Sequence, residues 1–406
     1  MKIAICSINT PEILAYAQYT VLNIRSYCNI NGYDFIESGI IDTSRHVSWS
    51  RIKLIENLLN EKENNKDKYD WVMWVDADVV VTNKSIKIEN IIENYGKIGM
   101  EVGGIDYDII MPKEDCCDYV INNGVFLIKN TEWSKNFLKK WYGQTQFLNQ
   151  AWWDGSAFIH LYDNDPDVKM HTKLVKQRVM NSFVDAPSRA GQEGIWKDGD
   201  FIIHFAGYGN RDWLKMFAYW GEKNYVPTRE QIPELLNKLG LNGSGVEIGV
   251  QKGIYSESIL SRSNLSKLYL CDSWRHFNED YRDIANVDNQ SHERCFQETK
   301  QRLARFSNRI EILRMLSLEA TPLFKDETLD FVYIDANHTY QCALDDIRNW
   351  YPKVKKGGLI AGHDYIDGNL PEAVFGVRSA VNEFFKKARC IFVTNEPWQS
   401  WYVIKE

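Results

Sequence analysis

Two places in this 406-residue chain combine residue types and spacing that could do chemistry. In the first, Asp76-Ala77-Asp78 follows the apolar run Trp71-Val72-Met73-Trp74-Val75. Side chains alternate along an extended segment, so both carboxylates point the same way at a strand end, the edge where open α/β sheets bind ligands. Two hard oxygen donors there suit Mg²⁺ or Mn²⁺, with substrate phosphates and water filling the remaining positions. Such an ion would neutralise a leaving diphosphate. In the second place, Val246-Glu247-Ile248-Gly249-Val250-Gln251-Lys252-Gly253 reads as strand, glycine turn and helix entry, and Asp272 closes the next strand. Glycines let the backbone approach a ligand closely, and a strand-end carboxylate can grip two ribose hydroxyls. A dinucleotide or an adenosine cofactor would fit. The full Gly-x-Gly-x-x-Gly is absent, so the turn alone does not separate NAD from S-adenosylmethionine.

The elements that position these groups follow from hydrophobic periodicity. Lys2 to Ser7 reads as a short apolar strand, followed by a helical pattern around Ala15 to Tyr27 and a second helix from Ser50 to Asn60. The charged tract Glu61 to Lys68 reads as a solvated helix end or loop. The run Trp71 to Val75 is continuously apolar and β-prone, as expected of a strand buried on both faces of a largely parallel sheet. Further strands are expected at Gly124 to Lys129 and Phe201 to Phe205, giving an α/β sandwich that closes near Trp213 to Lys223. A proline- and charge-rich stretch, Lys223 to Pro233, then leads through a short helix into Gly243-Ser244-Gly245. From Val246 onward, strands ending at Asp272, at Leu329 to Ile334 and at Gly358 to Ala361 alternate with helices, the pattern of a doubly wound sheet. Cys390 to Val393 and Ser400 to Ile404 read as a closing hairpin. The expected division is a domain over 1–222, a linker over 223–232 and a second domain over 233–406.

In the first half, Trp49 to Lys53, Trp74-Val75-Asp76-Ala77-Asp78, Asn122-Asn123-Gly124-Val125-Phe126-Leu127-Ile128, Trp152-Trp153-Asp154 and His204-Phe205-Ala206-Gly207 occur in that order. Together they resemble the fungal galactosyl- and mannosyltransferase and plant xyloglucan xylosyltransferase family, over about residues 1 to 213. The resemblance implies a GT-A fold, a retaining mechanism and a nucleotide-diphosphate sugar donor. It implies that Asp78 and His204 ligate the metal, with Asp76 near the donor's ribose or the metal's water shell. Lys53 and Arg211 would meet the diphosphate, while Asn123, Gly124 and Asp154 would line the sugar pocket, Asp154 with a catalytic part.

The second half resembles class I methyltransferases of the macrocin and sugar O-methyltransferase type, over about residues 233 to 406. The echoes are Val246 to Gly253, Leu270-Cys271-Asp272-Ser273-Trp274, Val332-Tyr333-Ile334-Asp335-Ala336-Asn337-His338-Thr339-Tyr340, and Lys356-Gly357-Gly358-Leu359-Ile360-Ala361-Gly362-His363-Asp364-Tyr365. By that resemblance the cofactor is S-adenosylmethionine, not NAD. Glu247, Gly249 and Gly253 would hold its methionine end, Asp272 its ribose, and Ser317 would lie beside the adenine. Asp335 and Asp364 would end neighbouring strands above it, where Mg²⁺ could bind and acidify an acceptor hydroxyl. Without a metal, Asp335 or His338 could take that proton as a general base. Metal-dependent relatives often carry an acidic residue where His363 stands here, which leaves both routes open.

Composition bounds these readings. With 44% hydrophobic and 25% charged residues the chain has the make-up of a globular protein, and its length predicts about two domains. A net charge of −7 argues against nucleic acid as a partner. The eight cysteines, with Cys116-Cys117 adjacent and no zinc-ligand spacing, read as free thiols. The short apolar start at Met1 to Ser7, and the lack of any run of about 18 apolar residues, predict no transmembrane segment and a cytoplasmic setting. The expectation is an α/β enzyme of two domains that adds a sugar to a glycan or glycoconjugate acceptor and O-methylates a glycan or sugar hydroxyl. The alternatives are a methyltransferase whose first half is a non-catalytic carbohydrate-binding module, and an antibiotic-like aglycone as acceptor.

Overall fold

The computed structural model of the chain describes residues 1–97, 106–115, 121–184, 192–207, 214, 217–220, 222–277 and 281–406. Arg211 and the Cys116-Cys117 pair lie outside the described residues. The chain divides into two compact units, Met1–Gly221 and Glu222–Glu406.

In the first unit a six-stranded sheet runs in the order Asp34–Ser38, Ile3–Ile8, Trp71–Val75, Val125–Lys129, Ile109–Lys113, Thr172–Lys176. Trp71–Val75 is parallel to Ile3–Ile8 and antiparallel to Val125–Lys129, so the sheet is mixed where a largely parallel one was expected. Every residue of Trp71–Val75 is buried, and strand alternation explains why all five must be apolar. Val72 and Trp74, with Ala4 and Cys6, pack beneath the helices Ser50–Asn60, Glu132–Tyr142 and Asp154–Asn164. Trp71, Met73 and Val75, with Ile3 and Ile5, pack on the other face with Ile24 of Leu14–Asn31 and Ile91 of Ile88–Tyr95. A smaller sheet joins Ser182–Phe183, Ile202–His204 and Val79–Val81.

The tract Glu61 to Lys68 differs from its reading as a helix end or loop. It forms a hairpin of Lys62–Glu63 and Lys66–Asp67, with Asn64 at φ 52° and Asn65 at φ 62°. A two-residue turn with positive φ at both positions matches strand twist, and asparagine tolerates that region, so local turn chemistry prevails over the charge run.

The second unit is a seven-stranded sheet in the order Ile310–Leu313, Lys267–Cys271, Ser244–Ile248, Leu329–Ile334, Val354–Gly362, Trp401–Ile404, Phe392–Val393. Its first five strands are parallel. Trp401–Ile404 inserts antiparallel between Val354–Gly362 and Phe392–Val393, the closing hairpin read from the sequence. The order reverses at Ser244–Ile248, whose neighbours are Lys267–Cys271 and Leu329–Ile334, so a crevice opens at the carboxyl ends of these strands. Residues 223–232 are held on this unit: the Val226 amide donates to Tyr402 Oη at 2.8 Å and the Arg229 amide to Glu396 Oε1 at 2.9 Å. Among the described residues no helix is long and apolar enough to cross a membrane, and Cys6, Cys28, Cys271, Cys295 and Cys342 are free thiols.

Candidate functional site

In the first unit, Asp76 directly follows the buried strand Trp71–Val75, and Asp78 precedes Val79–Val81. That short strand pairs antiparallel with Ile202–His204 so that His204 lies opposite Val79, and the Phe205 amide donates to the Asp78 carbonyl at 3.0 Å. This pairing brings His204 to the two carboxylates, 126 residues from Asp78. His204 Nε2 sits 3.1 Å from Asp78 Oδ1 and 3.9 Å from Asp76 Oδ2. Its other nitrogen, Nδ1, is 2.8 Å from Asn181 Oδ1. Asn181 donates through Nδ2 to Asn122 Oδ1 at 3.1 Å, which leaves its oxygen to accept from Nδ1. Nε2 then faces the two carboxylates, and the three groups converge where a cation could be held. Two carboxylates and one imidazole form a donor set suited to Mn²⁺ or Mg²⁺, and ligand atoms of all three lie within 4.8 Å of one another.

These residues line an open cavity of about 660 Å³, with Arg51, Asn123, Gly124, Trp152, Trp153 and Asp154 around it. Arg51 was not singled out in the sequence, yet it ties the wall together. Its guanidinium lies 3.2 Å from Asp154 Oδ2 and 3.3 Å from Asp76 Oδ1, and donates to the Asn123 carbonyl at 2.7 Å. Asn123 Nδ2 in turn donates to Asp154 Oδ2 at 2.8 Å. Burial pushes the carboxyls of Asp76 and Asp154 above their ordinary range, against the pull of Arg51. A Cβ on Gly124 would lie 2.3 Å from His204 Cε1, so only glycine lets this strand pass the histidine. Lys53 is not brought to the cavity: its Nζ pairs with Glu56 at 2.8 Å and lies over the Tyr142 ring. Trp152 and Trp153 stand at φ 63° and 40°, and Trp153 stacks on His46 with ring centroids 3.5 Å apart. Positive φ at two bulky residues in succession is strained backbone, of the kind held at ligand-binding sites.

In the second unit the turn after Ser244–Ile248 lies directly against the end of Leu329–Ile334. Gly249 has φ +85°, and a Cβ there would fall 1.8 Å from the Asp335 carbonyl oxygen, so both the conformation and the space demand glycine. Asp272 accepts the Val250 and Gln251 amides at 3.0 and 2.9 Å and the Trp274 amide at 2.8 Å, which shapes the glycine turn around the strand end. Gly253 caps the helix Ile254–Arg262 with φ +69°. Ser317, expected beside adenine, has its hydroxyl taken up by Asp346 and by the Trp350 indole.

Asp335, His338 and Asp364 come together at the neighbouring strand ends. His338 Nε2 is 3.1 Å from Asp364 Oδ2 and 3.5 Å from Asp335 Oδ1, while its Nδ1 is 2.9 Å from Asp283 Oδ2. Asp283 also escaped sequence reasoning. It orients His338 as Asn181 orients His204, with a full charge in place of an amide. Although burial opposes the charged imidazole, the three surrounding carboxylates raise His338 well above the ordinary histidine range. Hydrogen bonds from His338 and His363 hold Asp364 well below the usual carboxylate range, against the opposing effect of burial.

Glu247 is 2% exposed and accepts from Ser256 Oγ. Burial pushes its carboxyl from 4.5 up to about 8. Between those values the folded chain keeps a proton that the unfolded chain releases. Its contribution to stability is therefore complete below pH 4.5 and is lost as pH rises through about 8. A Glu247→Gln variant is expected to show a shallower fall of thermal midpoint between pH 5 and pH 8 than the parent, measured by calorimetry without cofactor. Equal slopes in the two proteins would show that the carboxyl ionises normally.

The profile of the galactosyl transferase GMA12/MNN10 family matches residues 5–212, and that of a methyltransferase domain matches residues 246–365. The chain is similar to the probable alpha-1,6-mannosyltransferase MNN10 of Saccharomyces cerevisiae, at 24% identity over 54% of this chain and 60% of that protein. It is also similar to the galactomannan galactosyltransferase 1 of Cyamopsis tetragonoloba, at 26% identity over 28% of this chain and 25% of that protein. The chain thus spans less than two thirds of the length of these relatives. Among solved structures, a glycosyltransferase involved in glycosylation of the major capsid of PBCV-1 aligns with 54% of this chain and 98% of its own, at 19% identity and a TM-score of 0.40.

Proposed function

The chain belongs to the galactosyl transferase GMA12/MNN10 family through residues 5–212, and from that premise we propose that it is a bifunctional glycan-modifying enzyme. Its first unit transfers a sugar from a nucleotide-diphosphate donor, with retention, and its second O-methylates a glycan or sugar hydroxyl with S-adenosylmethionine. The observation that carries the first activity is the convergence of His204 Nε2 with Asp76 and Asp78 on the wall of a cavity of about 660 Å³. That volume is of the size that holds a small organic ligand. Asp76, Asp78 and His204 would hold Mn²⁺ or Mg²⁺. When bound, the ion supplies charge neutralisation for the leaving diphosphate. Arg51 and Asn123 hold the Asp154 carboxylate in one orientation on the cavity wall, where it meets the transferred sugar, and Asn123 and Gly124 line the same pocket.

The methyltransferase match over residues 246–365 covers the glycine turn, Asp272, Asp335, His338 and Asp364. Glu247, Gly249 and Gly253 border the amino-acid end of the cofactor in this reading, and Asp272 presents its outer lone pairs to the ribose. Asp335, His338 and Asp364 face the acceptor hydroxyl, as a Mg²⁺ site or as the proton acceptor. A cytoplasmic setting is part of the same proposal.

Calorimetric titration of the whole chain tests both halves. UDP or GDP is expected to bind only when Mn²⁺ is present, and S-adenosylhomocysteine to bind without it. If neither nucleotide binds with any divalent ion, the sugar-transfer reading falls, and the first unit becomes a carbohydrate-binding module beside a methyltransferase.

A further inference from the structure

Residues 223–232 read as a connecting stretch in the sequence, yet they deliver a cation to the crevice of the second unit. The main chain around Arg229 is fixed on both sides. Its amide donates to Glu396 Oε1 at 2.9 Å, its carbonyl accepts from Tyr255 Oη at 2.9 Å, and two residues earlier the Pro227 carbonyl accepts from the Asn395 amide at 2.6 Å. The side chain is 24% exposed and its guanidinium lies over the Tyr255 ring, 4.6 Å from the centroid. Tyr255 stands at the start of the helix that Gly253 caps, so the cation hangs over the entry of the glycine turn.

The acidic groups that meet the guanidinium do so loosely, and the Tyr333 phenol also acts on it. Nη1 is 3.6 Å from Asp335 Oδ2, and Nε is 4.0 Å from Glu230 Oε1. Both distances exceed those of a hydrogen bond. Asp335 is also faced by His338 at 3.5 Å and His363 at 3.9 Å, so it is not a dedicated partner for a five-donor fork. Among the described residues the guanidinium donates no hydrogen bond. A partly desolvated arginine with its planar donors unfilled matches a planar two-oxygen acceptor.

We propose that Arg229 is the counter-ion of the α-carboxylate of S-adenosylmethionine, with Glu247 on the opposite side receiving the α-ammonium. The proposal rests on the cofactor reading of the second unit. The amino-acid end of that cofactor is a zwitterion, and one helix start brings an acid and an arginine together: Glu247 accepts from Ser256 Oγ, and Arg229 lies over the ring of the adjacent Tyr255. Recognition of the carboxylate separates the cofactor from adenosine metabolites that lack it. The stretch 223–232 is then part of the methyltransferase site and not a passive connection.

The test uses the whole chain and two probes, S-adenosylhomocysteine and its decarboxylated analogue 5′-deoxy-5′-(3-aminopropylthio)adenosine, titrated calorimetrically. The parent is expected to prefer S-adenosylhomocysteine by about 10- to 100-fold, the range of a charge-assisted hydrogen bond. Arg229→Met is expected to bind both probes equally, and Arg229→Lys to recover part of the preference. The main-chain hydrogen bonds of residue 229 survive either substitution, and binding of the decarboxylated probe reports an intact site. A preference that persists in Arg229→Met, or a parent that shows none, overturns the role of Arg229. A parent that binds neither probe overturns the cofactor reading and this proposal with it.

Discussion

An Asp78→Ala variant is expected to transfer sugar about 10³-fold more slowly than the parent, with methyl transfer unchanged. The size follows from what the carboxylate does. In the proposed metal site one of three ligand groups would be lost, a bound ion would supply several kcal/mol of charge stabilisation to the leaving group, and each ~1.4 kcal/mol is tenfold in rate. The direction of the stability effect separates this account from simple damage. Without an ion, Asp76 and Asp78 are like charges sharing one histidine, and the repulsion raises the Asp76 carboxyl further. Removing Asp78 relieves that repulsion, so the metal-free variant is expected to melt no lower than the parent. What it loses is the rise in thermal midpoint that Mn²⁺ with a nucleoside diphosphate gives the parent. The account fails if Asp78→Ala keeps sugar transfer within tenfold, or if it still gains stability from the ion and nucleotide together.

The same region shows where a sequence is legible. Trp71–Val75 could be read as a strand buried on both faces because five successive apolar residues leave no polar side, and the carboxylates at its end follow from alternation. Lys53 and Arg211 are the cations expected at the diphosphate; Arg211 lies outside the described residues, and on the helix Ser50–Asn60 positions 51 and 53 differ by about 200°. Lys53 shares its face with Glu56, Asn57 and Asn60, the solvent side. Arg51 shares its face with Leu54, Ile55 and Leu58, which are buried. The helical period of that stripe was the available signal for Arg51, and it was present in the sequence. Asn181, Asp283 and Arg229 carried no such signal. Asn181 and Asp283 sit in irregular segments and Arg229 opens the short 3-10 turn Arg229–Gln231, and their places depend on strand pairings and on side-chain hydrogen bonds made across 23, 55 and 167 residues. Local patterning holds no record of such pairings. The glycines fall between these cases, since the turn at Gly249 was legible as a turn, while the Asp335 carbonyl that forbids a side chain there belongs to a distant strand end.

An Asp335→Asn variant is expected to lower the rate of methyl transfer at saturating cofactor by about 10²- to 10⁴-fold, the range for removing a positioned acid–base group. The geometry limits how the acceptor hydroxyl can lose its proton. His338 is enclosed by Asp283, Asp335 and Asp364, which keep the imidazole charged near neutral pH when no other cation is present. A charged imidazole cannot accept a proton. The proton then goes to a carboxylate of the cluster, with Asp335 the one that follows the strand Leu329–Ile334, or a Mg²⁺ that Asp335, His338 and Asp364 would hold would acidify the hydroxyl directly. Asparagine keeps the shape and removes the charge, so both routes are impaired, and the two separate on adding metal. If the ion carries the chemistry, parent activity is abolished by a chelator and restored by Mg²⁺, and the variant needs far more Mg²⁺ for the little it regains. If a carboxylate is the base, the chelator leaves the parent unchanged and no Mg²⁺ concentration helps the variant. Measuring the turnover rate at saturating cofactor excludes any weakening of cofactor binding through Arg229. Retention of more than a tenth of the parent rate under every condition would remove Asp335 from the reaction and leave it a structural neighbour of the glycine turn.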